Sequence, residues 1–203
     1  MTSRAAVIDV GPLPNLVQKS RGSLWWGMVL LLVIEATVFG TLVASYFYLR
    51  LGTPEWPPPG VEPPKLLLPT LNTLVLLASS VPMYLADTGM AQGRQRRLLW
   101  GAAGAITLAV VFLVLKVIEY SDVPYRWDDH AYGSIVWLII GFHSAHVASV
   151  VLKTIVVWIL GYRGYFTRDR VLGVQINGLY WHFVVLVWLP LYAVLYWSPR
   201  LLH

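Results

Sequence analysis

Five long apolar segments divide the chain, and short polar connections separate them. An α-helix rises about 1.5 Å per residue and the hydrocarbon core of a bilayer is about 30 Å thick, so roughly 20 apolar residues suffice to cross it. The predicted spans cover residues 24–49, 66–86, 98–118, 131–160 and 171–197. The connections are too short to hold a soluble domain. The pattern therefore predicts an all-α integral membrane protein, with a single bundle of five transmembrane helices.

Composition supports this class. Hydrophobic residues make up 57% of the chain and charged residues only 12%, against about 25% charged in ordinary soluble domains. The absence of cysteine excludes disulfides, thiolate metal sites and iron–sulfur clusters, so any metal would need histidine or carboxylate ligands. The net charge of +5 could indicate nucleic-acid binding, but in a membrane protein topology explains it first.

The basic residues predict the orientation. Nine of the fifteen fall before the first span, between the second and third, and between the fourth and fifth: Arg4, Lys19, Arg21, Arg94, Arg96, Arg97, Arg163, Arg168 and Arg170. Five crossings put these clusters on one side, which the positive-inside rule makes cytoplasmic. Segment 1–23 is then a cytoplasmic tail, retained because it lacks the apolar core of a signal peptide. The C-terminus lies outside, and the proline-rich stretch 51–65 forms an external loop.

Glu35 is the only charged residue of the first span and lies near its middle. An unpaired carboxylate at that depth would take a proton or find a hydrogen-bond donor. Two interpretations stay open from the residues alone. One is a proton-linked or partner-binding carboxyl, and the other is a protonated acid bonded to a neighbouring helix.

Three histidines fall at similar predicted depth. His143 and His146 are three residues apart and share one face of the fourth helix, and His182 lies about as deep in the fifth. Neutral histidine is the commonest metal ligand, so the three could bind copper or haem. Histidines in helical bundles more often form hydrogen bonds between helices, and no fourth ligand is evident.

The remaining intramembrane polar residues have structural interpretations. Lys116 and Glu119 are spaced for an ion pair at the outer interface, and Lys153 can extend its charge toward the headgroups. Helix-packing polar candidates are Asn72, Gln175 and Asn177; such amides typically contribute about 1 kcal/mol or less. No phosphate loop, hydrolase or metalloprotease motif is present, so no independent catalysis is predicted.

Read together, these residues and their neighbours resemble subunit III of the haem-copper terminal oxidases, in particular cytochrome c oxidase. The matching blocks are Trp26-Gly27-Met28 leading to Glu35, Pro69 to Thr73 with Leu77 to Ser80, Glu119-Tyr120 with Pro124, Tyr132-Gly133-Ser134, Gly141 to His143 through His146-Val147, and Tyr180 to Phe183 with Trp188 and Tyr196-Trp197. They follow the family's order over nearly the whole chain. The chain resembles the five-span form, which lacks the first two spans of seven-span members.

Two positions depart from the family pattern. Val185 stands where the family commonly has aspartate, and Lys116 stands where it often has glutamine. These departures leave a quinol-oxidase subunit III or a nitric-oxide-reductase accessory protein of the same fold as alternatives. An unrelated alternative is a proton-coupled transporter or a di-haem membrane carrier that uses the three histidines.

The resemblance implies a subunit with no catalytic residue, metal or redox centre of its own. Haem and copper would belong to subunits I and II, its expected partners, and the chain would stabilise the catalytic subunit and hold phospholipid in a cleft between helix groups. It further implies support for proton uptake, contact with cytochrome c or quinol only through other subunits, and no nucleic acid. Candidate proton or lipid-cleft residues are Glu35, His143, His146, His182 and Glu119. His182 would hydrogen-bond between helices, and the membrane would be a bacterial plasma membrane.

Overall fold

The computed structural model describes residues 22–62 and 64–201. Most of the predicted cytoplasmic tail and Pro63 of the predicted external loop therefore lie outside the described residues. The helices are α1 (Ser23–Leu51), α2 (Leu67–Ala78), α3 (Ser80–Ala91), α4 (Gln95–Ser121), α5 (Ala131–Tyr162), α6 (Leu172–Tyr192) and α7 (Ser198–Leu201), with a π-helical segment at Ala193–Trp197.

These helices form five segments that are long and apolar enough to cross a membrane. α1, α4 and α5 are single spans, while α2 with α3 form the span Leu67–Ala91 and α6, the π-helical segment and α7 form Leu172–Leu201. The prediction of a five-span helical protein is thus confirmed. The largest boundary difference is in the second span, which continues five residues beyond the predicted end at Ala86 because its polar residues remain helical.

Two prolines coincide with irregular helix geometry. α2 ends and α3 begins around Ser79, three residues before Pro82, whose missing N–H cannot bond the carbonyl of Ala78. Pro190 lies inside α6, and the π-helical segment begins three residues later. Both irregularities of helix geometry therefore lie within three residues of a proline.

α5 and α6 form the interior of the bundle. In the most apolar stretch of the last span, half of the residues are buried inside the protein, whereas only 11% are buried in the corresponding stretch of α1. α1 packs on α5 and α6, and α4 lies between α3 and α5. Most of the α1 surface consequently faces outward, toward lipid or another protein.

Tryptophans occupy two environments. Trp26, Trp100 and Trp127 are exposed near helix ends, where amphipathic indoles favour the membrane interface. Trp181 and Trp188 are fully buried and donate from their indole nitrogens to Ser79 (3.1 Å) and Thr73 (2.9 Å).

A row of hydrogen bonds from aromatic side chains of α6 joins this helix to α2. Each accepting hydroxyl donates its own hydrogen to a backbone carbonyl of its helix, Ser79 to Leu76 and Thr73 to Pro69. It therefore has a lone pair free for an indole N–H. The hydroxyls of Thr70 and Tyr192 continue the row at 2.5 Å. The bonds fix the register of α6 against α2.

Gly101 allows α4 to approach the second span closely. A Cβ atom added there would lie 2.5 Å from the Pro82 carbonyl oxygen and 2.8 Å from the Ala86 nitrogen. Both neighbours are backbone atoms, which cannot move aside as a flexible side chain could.

We predict that Gly101→Ala lowers the free energy of unfolding by about 1–3 kcal/mol, the usual cost of overpacking a well-packed core. Gly141→Ala is the matched control, because nothing lies within 4 Å of its added Cβ. Thermal unfolding of both variants in the same detergent measures the difference. Equal melting temperatures would contradict the close approach.

Candidate functional site

Glu35 of α1 is paired with His146 of α5 about midway along the first span. The glutamate Oε2 lies 2.9 Å from the imidazole Nε2, and Glu35 is 12 residues, or about 18 Å, from the start of α1. Their side chains are 18% and 14% exposed. The pair therefore lies near mid-membrane and is not fully enclosed by the chain.

The second imidazole nitrogen decides how this pair holds hydrogen. His146 Nδ1 lies 2.7 Å from the Phe142 carbonyl oxygen, which can only accept, so Nδ1 carries a hydrogen. One further hydrogen is then shared between Nε2 and the carboxyl oxygen. Whether this hydrogen is closer to nitrogen or oxygen, the pair as a whole is neutral. The free-energy cost of placing it in the membrane is therefore low.

Aromatic rings flank the pair. The Phe39 ring centroid lies 5.1 Å from that of His146, and Phe142 lies at 4.5 Å. On the outward side of α1, Leu31, Ile34 and Val38 are exposed. The pair thus borders an apolar surface on one side and the protein interior on the other.

His143 is the buried neighbour of this pair. Its Nε2 donates to the Val184 carbonyl oxygen of α6 (3.1 Å), and its ring lies 4.6 Å from Trp188 between centroids. The imidazole is completely buried, and Nδ1 has no hydrogen-bond partner among the described residues. His143 therefore bridges α5 and α6, whereas His146, one turn away, bonds α1.

His182 does not join the other two histidines. It is partly exposed on α6, and no side-chain hydrogen bond connects it to another described residue, so the predicted interhelical bond of His182 is wrong. The His182 side chain points to the edge of the bundle, because the neighbouring Trp181 takes the buried position against α2. Within residues 22–62 and 64–201, no three His, Cys, Asp or Glu side chains are grouped so that they could hold a metal ion.

A second polar group lies near the predicted outer side. Lys116 Nζ donates to Glu119 Oε2 (2.8 Å) and to the Tyr196 hydroxyl (2.9 Å), while that hydroxyl donates to Glu119 Oε1. The ammonium also lies 4.6 Å from the Trp188 ring centroid. The Lys116 side chain is only 3% exposed. The predicted pairing is present, but it is buried between helices and not at the interface as expected.

A cavity of about 300 Å³ adjoins this group. Glu62, Lys65, Asp122 and Tyr125 line it together with Glu119. Burial raises the pKa of Tyr125 to about 12, so its hydroxyl stays protonated at neutral pH. Glu119 thus connects the buried ion pair to a charged cavity at the helix ends.

The three amide candidates differ in environment. Asn72 donates to the Phe112 carbonyl oxygen (3.2 Å) and links α2 to α4, while Asn177 donates to Thr154 (2.9 Å) and links α6 to α5. Gln175 is exposed and makes no side-chain hydrogen bond to a described residue. It lies in the first turn of α6, on the side that faces away from the bundle, so the structure gives it no packing role.

Lys153 also differs from its prediction. Its Nζ lies 3.9 Å from the ring centroid of Tyr180 on α6. The ammonium is held over an aromatic face, where the ring quadrupole attracts it. It is therefore folded onto the neighbouring helix and not extended toward the headgroups.

Asp87 is a candidate that the sequence pattern missed. It lies on α3 beyond the predicted end of the second span. Its Oδ1 is buried without a hydrogen-bond partner, and its carboxyl group contacts the α-carbon side of Gly178 on α6. In the sequence, Asp87 is only an acidic residue directly after an apolar segment. That pattern is equally typical of an ordinary solvated helix end.

Comparisons with known proteins agree on one family. The family model described as cytochrome c oxidase subunit III matches residues 13–199. Cytochrome c oxidase subunit 3 of Equus caballus is 35% identical over 189 residues, which cover 90% of this chain and 71% of that protein. The protein of the same name from Bos taurus is 36% identical over 178 residues, covering 85% and 68%. That from Dasypus novemcinctus is 36% identical over 189 residues, covering 90% and 71%.

We predict that Glu119→Gln lowers the free energy of unfolding by about 3–5 kcal/mol, because it leaves the buried Lys116 ammonium without its counter-charge. Asp128→Asn removes the exposed pair with Arg126 (3.4 Å) and should cost under about 1 kcal/mol. Denaturant titration in mixed micelles measures both.

Replacing both Lys116 and Glu119 by leucine should recover most of the loss, because no unpaired charge remains buried. A double variant as unstable as Glu119→Gln would show that the loss has another origin.

Proposed function

The chain belongs to the cytochrome c oxidase subunit III family, and from this premise we propose that it is a subunit of the oxidase complex with no redox centre of its own. In this proposal the chain stabilises the catalytic subunit, holds phospholipid beside α1 and supports proton uptake. Haem and copper belong to its partners, subunits I and II. Cytochrome c or quinol then makes contact only with other subunits.

The Glu35–His146 pair is the observation on which this proposal chiefly rests. The two groups share one exchangeable hydrogen near mid-membrane, and both side chains remain partly exposed. A neutral pair that borders lipid or a partner can hold a proton in the membrane without a net charge, and it stays neutral when one proton arrives as another leaves. This chemistry suits a subunit that assists proton delivery to a neighbour.

The arrangement of donor groups supports the absence of a resident redox centre. The chain has no cysteine, and among its described histidines His143 and His146 bond different helices. A haem or copper site would need these imidazoles to converge on one point. Their separate hydrogen bonds favour structural and proton-linked roles.

The surface of α1 supports the lipid part of the proposal. The start of α1 offers an open, mainly apolar surface formed by Ser23, Leu24, Gly27, Met28 and Leu31. Leu31 lies one turn before Glu35, so a lipid chain along this surface would end beside the pair. We further propose a bacterial plasma membrane, with the arginine-rich connections on the cytoplasmic side.

Purification of the native complex in mild detergent tests the assembly. We expect this chain to copurify with a haem-containing and a copper-containing subunit, and the complex to reduce oxygen. A haem absorption band in the isolated chain would instead support the di-haem carrier, and nitric oxide reduction without a copper partner would support the accessory protein.

We predict that Glu35→Gln reduces steady-state turnover or accelerates inactivation of the purified oxidase. The glutamine amide can still donate to His146 Nε2, so the helix contact persists while the exchangeable acid is lost. Oxygen consumption over many turnovers measures both quantities, and the melting temperature should change little.

Glu55→Gln serves as the control, because Glu55 is an exposed acid of the external loop. Turnover and inactivation rates in Glu35→Gln that match those of the control would contradict a proton-linked role for the pair.

A further inference from the structure

Asp87 carries a carboxyl group inside a span, and it makes no polar contact with another described residue. It lies four residues before the end of the span Leu67–Ala91, or about 6 Å along the helix. Its Oδ1 is buried and has no hydrogen-bond partner. The residue as a whole is partly exposed, so protons can reach the carboxyl group from the nearby helix end.

The carboxyl group occupies a gap that only glycine leaves open. A Cβ atom added to Gly178 would coincide with the Asp87 carboxyl group, meeting both oxygens and the carboxyl carbon. Gly178 itself is buried on α6. The carboxyl group therefore fills a defined space between α3 and α6, and it does not simply extend along the surface.

The elements around Asp87 supply no counter-charge. On α3, Thr88 donates to the Tyr84 carbonyl oxygen. On α6, Asn177 bonds Thr154, and His182 lies one turn beyond Gly178. On α4, Arg97 packs against Gly89 with the stem of its side chain. None of these groups forms a hydrogen bond or ion pair with Asp87 in the described part of the chain.

A carboxylate in this position would keep a negative oxygen buried without a donor or a cation. Burying an uncompensated charge costs far more than burying a neutral acid, and such groups take up a proton instead. Gly178 provides room for the carboxyl group next to an α-carbon, and none of the described donors reaches the buried Oδ1 to stabilise the ionised form.

We propose that Asp87 is a proton-binding site of this chain, at which the carboxyl group takes a proton from the predicted cytoplasmic side and holds it in the gap beside Gly178. The site is separate from the Glu35–His146 pair, because it lies at the α3–α6 contact near a helix end. The proposal concerns protonation of this chain alone and does not depend on the proposed function.

Infrared spectroscopy of the full chain in lipid nanodiscs tests the proposal without any substitution. Aspartate labelled with ¹³C at the side-chain carboxyl shifts the bands of these groups alone. The other described aspartates, Asp122, Asp128, Asp129 and Asp169, are exposed and lie outside the five spans. We expect one labelled C=O band of a protonated acid that shifts in D₂O. Labelled bands of ionised carboxylate only would overturn the proposal.

Two variants and one control variant assign the band. Asp87→Asn should remove it, whereas the exposed control Asp169→Asn should leave it unchanged. Gly178→Ala keeps the acid but fills the gap with a Cβ atom, so the protonated band should disappear as the carboxyl group moves into water. A band that persists in Asp87→Asn, or that is unaffected by Gly178→Ala, would refute the site. The spectrum of the labelled wild type tests the proposal by itself, so the proposal can be refuted even if a variant fails to fold.

Discussion

The hydrocarbon of a bilayer offers no hydrogen-bond partner, so each polar side chain of this bundle must find one in the protein or remain neutral. This constraint places the helices. The indoles of Trp181 and Trp188 meet hydroxyls of the second span, and Lys116 meets Glu119 and Tyr196. Apolar packing brings the helices together without specifying their register, and these few bonds supply the register.

The polar groups become neutral in two different ways. Lys116 and Glu119 cancel a full positive and a full negative charge, and a hydroxyl and an aromatic face assist them. Glu35 and His146 instead share one hydrogen. The first arrangement is stable only while both partners stay in place. The second is neutral through a shared hydrogen, and of the two arrangements it is the one that lies partly exposed near mid-membrane.

Local periodicity explains what could be predicted from the sequence. The apolar segments gave five spans, and the i, i+3 spacing gave the Lys116–Glu119 pair, because both depend only on helix geometry. The partners of Glu35 and Trp181 lie 111 and 102 residues away along the chain. Spacing within a helix cannot identify such partners, since they depend on how the helices are arranged. The family resemblance put Glu35 and His146 among the candidate residues but did not predict that the two pair.

The same limit applies to residues whose role depends on a missing side chain on the facing helix. Asp87 follows an apolar segment and alone resembles a solvated helix end, and Gly178 alone resembles a common small residue of a membrane helix. Only the contact between α3 and α6 shows that the missing side chain of one makes room for the carboxyl group of the other. His182 is the opposite case. A histidine in a span implies a partner by composition, yet its helix turns Trp181 inward and leaves His182 at the edge. The direction of a side chain, and not its depth, determines whether an intramembrane polar residue is buried.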